Sequence, residues 1–330
     1  MKVFLAGATG AIGRRLVPRL IERGHHVFGT VRSADNCAWL KAHGATPVVV
    51  DLLMPDAVRS AVLGCHPDAI IDEGTAFTGV RDLSNPDRGF AGTNLLRTKG
   101  TDALLAAARA LGAPRFIAQS YTGWPNARTG AAVKTEEDPL DPHPLATMRS
   151  SLAAIQYLER TVVGAGGLVL RYGQFYGAPD DPLVAAVRQR RLPLVGRGGG
   201  VWSFVHLDDA ADATVLALEH GGPGLYNIVD DEPARAREWL PVLASTLGAP
   251  RPHHVPRLLA RLLAGEAPVM FMTEMRGASN AKAKRALGWT LHYPSWRDGF
   301  GAAYGPSAGA APGPDRSPAG PRAAPIHGAS

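Results

Sequence analysis

Cysteine is scarce: Cys37 and Cys65 are the two thiols in 330 residues, and no histidine pair lies at metal-ligand spacing from them. That scarcity excludes a disulfide scaffold and a structural zinc site, and predicts a reduced, cytoplasmic setting. Long hydrophobic runs are missing too. No stretch approaches the roughly 20 apolar residues that span a bilayer, so no membrane partner is expected. The short apolar start Val3-Phe4-Leu5 flows into glycines rather than a cleavage site, which argues against secretion. Compact basic blocks interleaved with aromatics are absent; the formal charge of +6 is spread along the chain and reads as solvated surface, not a nucleic-acid groove. Internal repeats are not visible.

The chain is rich in the alternation of short buried strands with amphipathic helices. Val3-Phe4-Leu5-Ala6, His26 to Val31, Pro47 to Val50, Ala69 to Ile71, Arg115 to Ala118 and Leu168 to Arg171 read as strands. Helical spacing recurs between them: Ile12, Leu16 and Leu20 in a helix from Ala11 to Arg23, which Pro18 should bend or shorten. A long helix is expected from Asn94 to Leu111, stopped by Gly112 and Pro114, and another from Leu145 to Val163. This rhythm predicts an α/β fold, a Rossmann-type doubly wound parallel sheet. Later helices near 181–190, 208–220 and 235–247 belong to a smaller C-terminal substrate-binding lobe. We expect residues 1–175 to form mainly the cofactor domain and 176–304 mainly the lobe, interleaved with returns to the sheet. Residues 305–330, dominated by Gly, Ala, Pro and Ser, read as a flexible tail.

Gly7-Ala8-Thr9-Gly10-Ala11-Ile12-Gly13 places three glycines between the first strand and the first helix. Such a turn admits a pyrophosphate to the backbone and to the helix N-terminus, so Gly7, Thr9, Gly10, Ala11, Ile12 and Gly13 are assigned to a dinucleotide. After the second strand the sequence is Arg32-Ser33, with no carboxylate for an adenosine ribose. A guanidinium there neutralises a 2′-phosphate, which favours NADP(H), with NAD(H) as the other possibility. Asp51 and Leu52 follow the third strand, and Asp51 either contacts adenine or caps the next helix. Gly74, beyond the fourth strand, completes the cofactor set. Asp72-Glu73 sits at the same strand end, where ligands often bind, and reads equally as surface or hinge carboxylates.

These features resemble an extended short-chain dehydrogenase/reductase of the NAD-dependent epimerase/dehydratase superfamily. The likeness is carried by the glycine loop, by Arg171-Tyr172-Gly173-Gln174-Phe175-Tyr176-Gly177, and by Phe204-Val205-His206-Leu207-Asp208-Asp209. Tyr226-Asn227-Ile228 and the run from Asn280 to Trp289 continue it. The resemblance implies a Tyr-x-x-x-Lys pair, yet Thr147 and Ser151 stand at those positions, and neither hydroxyl is an acid at neutral pH without activation. Tyr121 is nearest the family's catalytic serine or threonine, flanked by Ser120 and Thr122. Arg97 takes the place of its asparagine, one turn after Asn94. Tyr121 or Tyr172 is a substitute acid if burial and charge tune the phenol; packing is the other reading of each. Trp124, Met148, Phe175, Tyr176, Trp202 and Met270-Phe271-Met272 are candidates to line an apolar pocket. His206 and Asp208 read as the opening of a helix, with an aspartate at its cap.

High Ala, Arg, Gly and Pro usage and the missing acid add a likeness to atypical ketoreductases of angucycline pathways. That likeness implies hydride transfer from NAD(P)H to a ketone of a polycyclic aromatic polyketide in antibiotic biosynthesis, in a monomer or homodimer. Two other readings stay open: a nucleotide-sugar epimerase or dehydratase, and a non-catalytic NADP-sensing or protein-interaction module.

Overall fold

A computed structural model of the chain describes residues 1–76, 84–112, 115–178 and 180–305. Seven strands form one sheet: β1 (Lys2–Ala6), β2 (His26–Val31), β3 (Thr46–Val49), β4 (Ala69–Asp72), β5 (Arg115–Tyr121), β6 (Leu168–Tyr172) and β7 (Gly224–Ile228). Their spatial order is β7-β6-β5-β4-β1-β2-β3, and every neighbouring pair is parallel. Phe4 lies between Phe28 and Ile70, so the apolar runs legible in the sequence are stacked side by side. Both faces are covered, which is why these strands are apolar on both sides.

On one face lie α1 (Gly13–Glu22) and a later helix, Leu207–His220; Leu16, Leu20, Ala210 and Leu218 pack with Val3, Leu5, Ile117 and Leu170. On the other face, α2 (Pro55–Cys65), α3 (Thr101–Ala110) and α4 (Arg149–Gly164) set Val58, Leu104 and Leu158 against Phe4, Ile70 and Val169. The helix Leu207–His220 is α5. The order reverses between β1 and β4, and their carboxyl ends open the crevice where this architecture takes a ligand.

Several expectations need correction. Helix α1 runs through Pro18; the amide proton Pro18 lacks would meet the carbonyl of Arg14, an exposed residue where water can substitute. The helix expected over 94–111 is continuous but starts earlier, at Ala91, and widens to a π-type turn at Leu96–Gly100 before α3, with Leu95, Leu96, Gly100 and Thr101 all in right-handed helical conformation. Pro114 and the tail beyond Gly305 lie outside the described residues.

The C-terminal elements build a second core around Trp202, Phe204, Trp239, Trp296 and Phe300. Phe204 and Trp239 meet edge to face at 5.3 Å, and Trp202 and Trp239 lie 4.9 Å apart. Trp124, Met148, Tyr176, Trp202 and Met270-Phe271-Met272 are buried in this core rather than free to line a pocket, and Phe175 is half-buried. Among the described residues no helix is long and apolar enough to cross a membrane.

Candidate active site

The glycine loop is shaped by the protein's own crowding. Gly7 has φ +75°, and a Cβ there would fall 2.5 Å from the Glu73 carbonyl oxygen; one on Gly13 would fall 2.3 Å from the Gly7 carbonyl oxygen. Gly10 differs. Its Cβ would meet the Gly7 carbonyl oxygen alone, at 3.3 Å, so its outer side is open as a pyrophosphate requires. The Gly7 amide is held by Thr30 Oγ1 at 3.1 Å. Helix α1 begins with Ile12 at its N-cap, no side-chain cap and no acidic residue in its first turn; the Arg14 and Arg15 amides bond the Gly10 and Ile12 carbonyls, which leaves those of Ile12 and Gly13 for an anion. These residues fit a dinucleotide, and Thr9 and Ala11 complete the loop.

At the end of β2, Arg32 is exposed and has no hydrogen-bond partner among the described residues. Ser33 donates to Asp35 at 2.9 Å. A second cation, unnoticed in the sequence, stands close to this corner. Arg14 donates to the Thr9 carbonyl at 3.1 Å and to Asn36 at 3.4 Å, with its guanidinium 4.7 Å from the Trp39 ring. Its signal was the position directly after Gly13. Asp51 Oδ1 accepts from the Leu53 amide at 2.9 Å and does not cap α2, whose N-cap is Met54. Leu52 is buried, and a Cβ on Gly74 would meet its Cδ1 at 2.8 Å.

The hydroxyls assigned to chemistry are dispersed. Ser151 is fully buried at the start of α4; it donates to Asp87 at 2.7 Å and accepts from Asn94 at 3.1 Å. Asp87 also accepts from the Ser150 and Ser151 amides, so this carboxylate serves the N-terminus of α4 where the family's lysine would stand. Thr147, four residues earlier, is half-buried in a short 3-10 turn. Ser120 points to the α4 side of the sheet and donates to Glu159 at 2.8 Å. Arg171 grips the same carboxylate twice, at 2.7 and 2.6 Å. Arg97 lies buried in the π-type turn near this pair; desolvation lowers its guanidinium to about 10, against the pull of Glu159.

Tyr121, at the end of β5, is half-buried 6.5 Å from the Trp124 ring, and desolvation raises its phenol. Tyr172 is fully buried beneath the loop, bonded to Glu73 at 2.9 Å and Thr214 at 2.6 Å. Its phenol is raised chiefly by burial, opposite to the tuning an acid needs. Asp72 and Glu73, expected at the surface, are both buried. His206 itself caps α5, its Nδ1 accepting from the Asp208 amide at 3.2 Å, while Asp209 accepts from the amides of His292 and Tyr293.

Residues 3–228 match the family model described as "NAD dependent epimerase/dehydratase family". Among curated relatives, a "3-diazoavenalumate denitrifying reductase" from Streptomyces sp is 44% identical over 314 residues, covering 91% of this chain and 99% of that protein. A "4-hydroxy-2-methyl-3-oxo-4-farnesyl-3,4-dihydroquinoline-1-oxide ketoreductase" from Stigmatella aurantiaca is 28% identical over 255 residues, covering 75% of this chain and 74% of that protein. Two solved structures share the fold. The Thermus thermophilus UDP-glucose 4-epimerase in complex with NAD has a TM-score of 0.70 at 23% identity, covering 92% of this chain and 98% of its own. A human epimerase family protein with NADPH has a TM-score of 0.71 at 18% identity, covering 92% and 99%.

Proposed function

We propose, for a chain that belongs to the NAD-dependent epimerase/dehydratase family, net reduction of an electron-poor aromatic substrate, with an aryl diazonium group as the hydride acceptor. An NAD(P)-dependent oxidoreductase or epimerase/dehydratase activity is common ground, and at that level the comparisons stand closer to the epimerase/dehydratase alternative than to a polyketide ketone. The observation that supports our reading is that Ser151, which the resemblance aligns with the lysine of the proton-handling pair as it aligns Thr147 with the tyrosine, is locked between Asp87 and Asn94. An epimerase must remove and return a proton at a sugar centre, and a ketone becomes an alkoxide as it is reduced; both need an acid or base in place.

Gly7, Gly10, Gly13 and the N-terminus of α1 would hold the pyrophosphate, and Arg32 the 2′-phosphate that selects NADP(H). The bound nicotinamide supplies a hydride. An aryl diazonium that gains a hydride becomes an aryl diazene, which breaks its C–N bond, releases N2 and leaves a C–H bond. No oxygen takes up negative charge, so no side chain has to deliver a proton. The name of the 44% identical relative, a 3-diazoavenalumate denitrifying reductase, agrees with this balance. A ketone acceptor is the second reading, favoured by the ketoreductase relative, with a phenolic polyketide managing its own proton.

The test is incubation with NADPH and an aryl diazonium carboxylic acid. One N2 and one arene are expected per NADPH oxidised. Turnover of a polycyclic ketone without the diazonium would select the second reading, and interconversion of a nucleotide sugar would overturn both.

A further inference from the structure

Glu73 follows β4 directly and is 4 % exposed, with Oε1 2.9 Å from the Tyr172 hydroxyl. The Tyr172 oxygen lies 2.6 Å from Thr214 Oγ1, which lies 2.7 Å from the Ala210 carbonyl oxygen. Each of these three oxygen–oxygen separations is a hydrogen-bond length and needs one hydrogen. The carbonyl has none, and the two hydroxyls bring two. The third has to sit on Glu73, so that Glu73 donates to Tyr172, Tyr172 to Thr214 and Thr214 to Ala210. An ionised Glu73 would leave one pair of oxygens facing each other without a proton between them. Glu73 Oε2 has no partner among the described residues. In a carboxylate that atom would carry unpaired buried charge; in the acid it is one unsatisfied carbonyl.

Among the described residues no cation faces this carboxyl. Its own strand end contributes Asp72, whose Oδ1 accepts from the Gly74 amide at 3.0 Å. Strand β6 contributes the phenol of Tyr172, and α5 the uncharged Thr214. The glycine loop contributes backbone at Gly7, against the Glu73 carbonyl.

We propose that Glu73 is a protonated positioning residue of the dinucleotide site, tying β4 through Tyr172 to β6 and α5 while keeping a second negative charge from beneath the loop that takes the pyrophosphate. The proposal rests on the dinucleotide reading. Burial, then the neighbouring Asp72, pushes this carboxyl up to about 8 against the Tyr172 bond that lowers it, which agrees with the proton count. Ionisation breaks the chain at Tyr172 and sets a second buried carboxylate beside Asp72 at the end of β4.

Two measurements on the full chain test this. Infrared difference spectra of wild type against Glu73→Gln at pH 6.5 are expected to show a protonated-carboxyl C=O band in wild type that converts to carboxylate by pH 9.5. In the same range the wild-type Kd for NADPH should weaken by up to tenfold per pH unit above that transition, while Glu73→Gln gives a flat profile. Absence of the protonated band overturns the proposal, and so does a parallel decline in the variant. If Glu73→Gln fails to fold, Tyr172→Phe takes its place: removing the acceptor must shift the band to higher frequency, and an unmoved band overturns the chain. A wild type that shows the band yet binds no NADPH at any pH sinks the dinucleotide reading instead.

Discussion

Gly7, Gly10 and Gly13 look alike in sequence, yet the space around them differs, and that difference separates folding from binding. A side chain on Gly13 collides with the Gly7 carbonyl and the Ala8 backbone. Gly13→Ala should therefore lower the unfolding free energy, by roughly 1–3 kcal/mol as overpacking and strain usually do, read by urea denaturation. Gly10→Val should leave that stability within about 1 kcal/mol but weaken NADPH binding, because its side chain enters the open side. Equal loss of stability in the two variants would contradict the assignment. Arg32→Ala should reduce the preference for NADPH over NADH about tenfold, the worth of one charge-assisted hydrogen bond of roughly 1.5 kcal/mol. An unchanged ratio of the two affinities would hand the role to Arg14.

At the scale of elements, the sequence periodicity located all six strands expected and most helices to within a few residues. What it missed was the π-type widening at Leu96–Gly100, because the apolar spacing runs on through it. Likewise Ser151 could be aligned with a missing lysine, but its bonds come from Asp87 and Asn94, dozens of residues away. The tie between α4 and β6 is the Glu159–Arg171 pair, both side chains under 7 % exposed. Arg171→Met should cost about 3–5 kcal/mol, since it leaves a buried carboxylate with Ser120 as its remaining hydrogen-bond partner. Thermal or urea unfolding checks this, and a loss below 1 kcal/mol would mean that Arg97 moves in to replace it.

For the whole molecule, stability should bend with pH on both sides. Asp72 and Glu73 are raised from 3.8 and 4.5 to about 6 and about 8. As pH rises through those windows the unfolded chain has released protons that the fold retains, so stability falls and the loss is complete above about 8. His206 acts in the opposite direction: desolvation lowers it from 6.5 to about 4, so acidification through that window charges the unfolded state first. The two effects oppose one another between about 4 and 6.5, and above 6.5 Glu73 alone of these three groups still changes protonation. The thermal midpoint should therefore decline from pH 6.5 to 8.5 in wild type and decline less in Glu73→Gln. A wild-type midpoint that rises over that interval would contradict the burial of Glu73 as a neutral acid.

The sequence by itself determined the sheet, the glycine loop and the cofactor class, because strand burial, helix spacing and a strand–glycine–helix turn are local patterns. It also carries Thr147 and Ser151 at the spacing where the resemblance expects a tyrosine and a lysine. Only the tertiary structure decided where the remaining polar groups go. Glu73 looked like a surface or hinge carboxylate until β4, β6 and α5 closed around it, and Ser120 flanked Tyr121 as a hydroxyl near the expected catalytic position until its strand face turned it to Glu159. A side chain's protonation and partners depend on what the fold stacks against it, and no local pattern records that.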